Sequence, residues 1–91
     1  MAVYVDPAIW PWRGRLWCHL RADSPDELLR FAARLGLPRQ WLQTRPGQPW
    51  KDHYDLPSDL RFQAVALGAV EIDVHASALL TRRMKAAYLR A

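Results

Sequence analysis

The chain has a single cysteine, Cys18, so it cannot form an internal disulfide or surround zinc with several thiolates. Glycine is also scarce. The four glycines are scattered, which leaves no loop able to cradle a phosphate and no dinucleotide fingerprint. A GxSxG nucleophile elbow and an HExxH metal helix are absent too, so serine-hydrolase and zincin readings lack their parts. No apolar run approaches the ~20 residues needed to cross a bilayer. Asp6 and Pro7 interrupt the N-terminal stretch where a signal peptide would be apolar. These absences point to a cytoplasmic protein with no membrane partner.

Hydrophobic residues make up 51% of the 91 residues and charged residues 24%, a balance that supports one folded domain over 1–91. The net charge of +4 favours an anionic partner. Of the 13 basic side chains only Lys51 and Lys85 are lysine, and the others are arginine, whose planar fork suits phosphate or carboxylate.

Periodicity divides the chain into alternating elements. Ala2 to Val5 and the alternating Arg15 to Arg21 read as strands, with Trp10 to Gly14 as a loop between them. Ser24, Pro25 and Glu27 open a first helix as N-cap, first-turn proline and capping-box acid, and Gly36 closes it. Gln40 to Gln43 reads as a third strand, 44–52 as a loop, and Pro57 to Leu67 as a second helix ended by Gly68. Val70 to Val74 gives a last strand. Ala76 to Arg90 gives a terminal helix whose apolar face is Leu79, Leu80, Met84, Ala87 and Tyr88, a face that suits a core or a homodimer. The expected fold is α/β, a single small domain with three to four short strands in a mixed, partly parallel sheet and about three helices.

The helix entrance occurs twice. Asp23, Pro25, Leu28, Ala32, Leu35 and Gly36 are repeated thirty-two residues later as Asp55, Pro57, Leu60, Ala64, Leu67 and Gly68. A histidine precedes each copy, His19 before Asp23 and His53 before Asp55, so two entrances standing side by side would gather two imidazoles and two carboxylates. Because Ser24 and Glu27 already cap the first helix, Asp23 is free for another role. In the second copy Leu56 would fall at the cap, a poor choice, so Asp55 or Ser58 takes that role, which makes His19 with Asp23 the stronger pair. Asp6 and Asp73, at the ends of strands, are further candidates for the sheet's carboxyl edge, where ligands collect in such folds. His19, Asp23, His53 and Asp55, with Asp6, form a nitrogen and oxygen set compatible with zinc, manganese or iron.

The aromatic residues offer a different reading. Trp10, Trp12 and Trp50 fall in expected loops near Arg13 and Lys51, where they either roof a small core or stack the bases of a single strand. Arg82, Arg83, Lys85 and Arg90 concentrate charge on the last helix. Cys18 reads as a small buried hydrophobe on its strand.

The segments VYVD ending at Asp6, RGRLWCHLRAD from Arg13 to Asp23, FAARLGL from Phe31 to Leu37 and HYDL from His53 to Leu56 resemble a small bacterial and phage family known only as domain of unknown function 4031. The resemblance stops short of the final helix. It implies that His19, Asp23, His53, Tyr54 and Asp55 belong to family motifs, and it carries no activity with it.

Two functions follow as expectations. The first is a His/Asp site that holds a divalent metal or a phosphate-bearing ligand and hydrolyses a phosphoester. In it His19, His53, Asp23 and Asp55 act as ligands or base, with Asp6 as a further metal ligand and Arg21 and Tyr54 holding the anion. The alternative is a non-catalytic nucleic-acid or protein-binding module built on Trp10, Trp12, Trp50, Arg82 and Arg83.

Overall fold

A computed structural model describes residues 2–90. The α/β expectation holds, with a mixed five-stranded sheet and three helices. The strands are β1 (Val3–Val5), β2 (Trp10–Trp12), β3 (Arg15–Ala22), β4 (Tyr54–Pro57) and β5 (Val70–Glu71). The helices are α1 (Pro25–Arg34), α2 (Ser58–Ala66) and α3 (Val74–Arg90).

The eight-residue β3 organises the sheet. Trp17 pairs with Trp10 of β2 and Pro57 of β4, and Leu20 pairs with Val5 of β1 and Tyr54 of β4. Therefore β1 and β2 lie end to end along one edge of β3, and β4 lies along the other. Both edges pair antiparallel, while β5 adds to the far side of β1 in parallel.

Alternation along β3 decides which side chains meet. Cys18, Leu20 and Ala22 point to the face that α1 and α2 cover, where they pack with Val5, Leu28, Phe31, Ala32, Leu56 and Ala64. Trp17, His19 and Arg21 take the opposite face. Tyr54 and Leu56 of β4 are buried in the core beside Leu20 and Cys18, which leaves Asp55 on the face of His19.

Several elements differ from their sequence reading. Trp10 to Gly14 is not a loop: β2 joins β3 through Arg13 and Gly14, both at positive φ (49° and 71°), as a two-residue hairpin turn of the mirror-image type requires. Gln40 to Gln43 is not a strand. Arg39–Trp41 forms a single 3₁₀ turn after Pro38, and only Gln43 bridges to His53. The loop before β4 contains a second 3₁₀ turn, Pro49–Lys51, and β5 stops at Glu71 because Asp73 caps α3 through its side chain on the Ala76 N–H. Asp73 is thereby committed to the helix.

The terminal helix buries less than its pattern suggests. Leu80 and Ser77 are buried, while Leu79, Ala87 and Tyr88 remain exposed, the last two lining a groove beside Leu80 and Trp50. Trp50, on the second 3₁₀ turn, is buried and meets the Tyr88 ring at 5.3 Å. No helix is long and apolar enough to cross a membrane among the described residues.

Cys18 is fully buried, as its strand position implies, and burial above all, with the nearby Asp6 charge, pushes its thiol up to about 12. The folded protein should therefore resist Ellman's reagent at mildly alkaline pH and react with one equivalent once unfolded by guanidinium. Rapid labelling of the folded chain would show that the α2 side of the sheet opens readily.

Candidate metal site on the open face of the sheet

The site begins where β1 breaks. Pro7 ends the strand, and at the last pair of the ladder the Asp6 N–H still donates to the His19 carbonyl at 3.3 Å. The return bond is made differently. The His19 N–H donates to the Asp6 carboxylate at 2.7 Å, and the Asp6 carbonyl accepts from Arg61 Nε at 2.8 Å instead. Asp6 thus turns its side chain into the ladder, is only 3% exposed, and offers its other oxygen to His19 Nδ1 at 2.8 Å.

Burial alone would raise the Asp6 carboxyl. The hydrogen bonds from the His19 ring and backbone outweigh it, and with the charges of His19 and Arg21 they hold the group below its ordinary value.

Across the other edge of β3, Asp55 sits directly opposite His19 in the ladder. His53 precedes it by two residues, so strand alternation returns its ring to the same face. His53 Nδ1 lies 2.8 Å from the Lys51 carbonyl, which the 3₁₀ turn at Pro49–Lys51 presents. The His19 and His53 rings meet edge to face at 5.2 Å, and Trp10 of β2 stands 5.8 Å from His19.

The two Nδ1 contacts settle the tautomers of the neutral rings. A carboxylate and a carbonyl can only accept, so each Nδ1 carries the hydrogen and each Nε2 keeps its lone pair. Both lone pairs converge on one carboxylate. Asp55 Oδ1 lies 3.4 Å from His53 Nε2 and 3.9 Å from His19 Nε2, and one donor atom from each of the three residues falls within 4.8 Å of the others.

Three electron-rich atoms that face one another call for a donor or a cation between them, whether a water, a proton on an imidazole or a metal ion. The Asp55 carboxyl is held low first by its contact with His53, against burial, and further by the His53, His19 and Arg21 charges. His19, His53 and Asp55 are 27%, 23% and 44% exposed at their side chains, which leaves the convergence point reachable from solvent.

Arg21 lies on the same face of β3, two residues beyond His19. Its Nε and Nη1 are buried with no hydrogen-bond partner among the described residues, and burial lowers its pKa while Asp6 and Asp55 oppose that shift. Its charge reaches both carboxylates.

The structure brings together His19, His53, Asp55, Asp6 and Arg21 and separates the rest. Asp23 is elsewhere: its carboxylate accepts from the Ala2 N–H at 2.7 Å and the Tyr4 hydroxyl at 2.9 Å, tying down the start of β1. The separation follows from topology. The two helix entrances leave the ends of β3 and β4, and because these strands are antiparallel the entrances lie at opposite ends of the sheet. The site accordingly occupies the middle of the sheet's open face and not its carboxyl edge.

Tyr54 is not at the site either, because it is 1% exposed in the core on the opposite face, where burial raises its phenol. Asp55 does not cap α2. The cap position is Pro57, without a side-chain bond, which leaves the carboxylate free. Trp50 is lost to the platform of loop aromatics because it lies beneath Tyr88 and Lys85 of α3. Arg83 lines a groove with Tyr4 and Asp23, away from the histidines, and Arg82 is exposed on α3. Trp10 and Trp12 do flank the site, lining with Trp17, His19 and Asp55 a recess of about 200 Å³.

Trp41 is a neighbour that the strand reading of Gln40 to Gln43 concealed. Pro38 just before it was the available signal for a turn.

A family model described as "Protein of unknown function (DUF4031)" matches residues 3–87, which takes in the site and most of α3, the helix that the resemblance had left out. No curated protein and no solved structure matches the chain.

Proposed function

The chain belongs to that family of proteins of unknown function, and from the geometry of its site we propose that it binds one divalent metal ion through His19 Nε2, His53 Nε2 and the Asp55 carboxylate. The observation that carries the proposal is the pair of Nδ1 hydrogen bonds, to Asp6 and to the Lys51 carbonyl, which aim both Nε2 lone pairs at one carboxylate. A ligating histidine held from behind by a carboxylate or carbonyl is the usual support of a metal site. Two imidazoles and a carboxylate suit zinc, manganese or ferrous iron, and three protein ligands leave coordination positions for water and a substrate oxygen.

The reaction we assign is hydrolysis of a phosphoester. A bound metal lowers the pKa of its water and draws charge from a phosphoryl oxygen. Arg21 supplies a second fixed positive charge behind the carboxylates, so the loaded site is net positive and favours an anionic ligand over another cation.

Chelator-treated protein titrated with zinc, manganese and ferrous iron, the last under anaerobic conditions, should take up one equivalent of at least one of them, with Trp10 emission as the reporter beside His19. His53→Ala should take up none. Affinity should fall on acidification, because protons compete for the same lone pairs. A wild-type protein that binds none of the three, or a variant that binds as well, removes the metal reading; a loaded protein that leaves an activated phosphodiester intact removes the hydrolase.

A further inference from the structure

We infer that the substrate of this site is a nucleotide unit, its base held against Trp12 and Trp41 and its phosphate directed to Asp55. The inference rests on the metal reading above and adds to it the chemistry of the neighbouring cleft. That cleft has a volume of about 530 Å³, within the range of small-molecule sites, and is lined by Trp12, Trp17 and Trp41 together with Arg13, Arg15 and Asp55. Asp55 therefore belongs both to the candidate metal ligands and to the cleft wall.

Each wall component matches one part of a nucleotide. Trp12 and Trp41 are 56% and 47% exposed, a large cost in water for indoles that a stacked base would cover. Trp12 is fixed from behind, since its carbonyl accepts the Trp17 indole N–H at 2.8 Å and its ring meets Trp17 edge to face at 5.3 Å. A platform already ordered loses little entropy when a base lands on it. Gln40 and Gln43, also in the wall, carry amides that donate and accept as base edges do.

The cations sit where a phosphate backbone would pass. Arg13 lies over the Trp12 ring at 4.5 Å, and Arg15 faces water apart from an exposed pair with Asp59 at 3.4 Å. Arg13 also holds a positive φ in the hairpin turn, a conformation that asparagine or glycine adopts at lower cost.

The test uses manganese-loaded full-length protein with three probes: adenosine monophosphate, ribose 5-phosphate and a short thymidine oligonucleotide. Manganese uptake is measured separately by calorimetry, and Trp41 supplies no metal ligand. Wild type should bind adenosine monophosphate or the oligonucleotide at least tenfold more tightly than ribose 5-phosphate. Trp41→Ala should weaken that binding roughly tenfold or more with manganese uptake intact, and Trp41→Phe should restore most of it.

An oligonucleotide preferred over the monophosphate, with affinity falling steeply as salt rises, identifies the nucleotide as part of a strand; equal affinity identifies it as free. Manganese uptake without any preference for the base, or a Trp41→Ala variant that binds like wild type, overturns the inference and leaves the metal site standing. If no metal is taken up, the same comparison on metal-free protein decides the cleft alone: base preference lost in Trp41→Ala supports it, and its absence overturns it.

Discussion

Asparagine in place of Asp55 should abolish divalent-metal binding, with affinity falling by more than the roughly 10- to 100-fold typical of groups that only support a ligand, whereas Asp23→Asn should leave affinity unchanged. Asp55 is the one anion toward which both Nε2 lone pairs point, and the change removes its charge without removing its bulk. An amide nitrogen turned into the site would also place a donor where a cation is expected. Asp23, in contrast, meets only the Ala2 N–H and the Tyr4 hydroxyl at the far end of β1.

Asp23→Asn should cost about 1 kcal/mol of stability through these exposed bonds and free Tyr4 from a neighbour that, after burial, raises its phenol. Calorimetric titration of both variants beside wild type is sufficient. Equal metal affinity in Asp55→Asn and wild type would mean that Asp55 is not a ligand and would remove the three-residue site.

The contrast between these two aspartates shows how much of the site was readable in the sequence. Both carry the same local signal, an acid shortly after a histidine and just before a helix. Local rules made Asp23 the stronger candidate and Asp55 the weaker one, a candidate cap; the fold ties Asp23 to the start of β1 and leaves Asp55, which does not cap α2, beside His19. What decides is strand register, which no local pattern contains: β4 pairs with β3 so that Asp55 faces His19, and the end of β1 before Pro7 turns Asp6 onto His19 from the other edge.

His19 was legible because β3 alternates cleanly from Trp17 to Ala22, with Cys18 and Leu20 inward. β4 was not, since four residues ending in proline carry too short a period to stand out, and its core residues Tyr54 and Leu56 looked like part of a helix entrance. The hairpin of β2 was hidden by its turn, because Arg-Gly lacks the Asn-Gly or Asp-Gly signature of two-residue loops. The α/β class and the three helices were accessible because caps and apolar stripes are local. Ser24 does accept the Glu27 N–H, at 3.3 Å.

Asp6→Asn should lower both stability and metal affinity, the first by about 2–4 kcal/mol and the second by about 10- to 100-fold. The carboxylate accepts two hydrogen bonds at once, from the His19 backbone and from its ring, and it is 3% exposed. Asparagine has one acceptor oxygen. Its amide group must then face either the N–H of the ladder, a donor against a donor, or Nδ1, which can accept only if the His19 proton moves to Nε2. With Nδ1 no longer held, His19 loses the tautomer and the orientation that aim Nε2 at Asp55, so the metal site loosens without the loss of any ligand.

Acid distinguishes this account from a simple packing defect. Because the folded Asp6 carboxyl lies below its ordinary 3.8, its contribution is fully present above that value and is lost as pH falls through the lower folded one. Asp55 is lowered in both proteins and cancels from their difference. Urea denaturation of metal-free wild type and variant should therefore show a stability gap that narrows as pH falls below about 4. A gap that persists unchanged into acid would mean that Asp6 acts through its shape and not its charge.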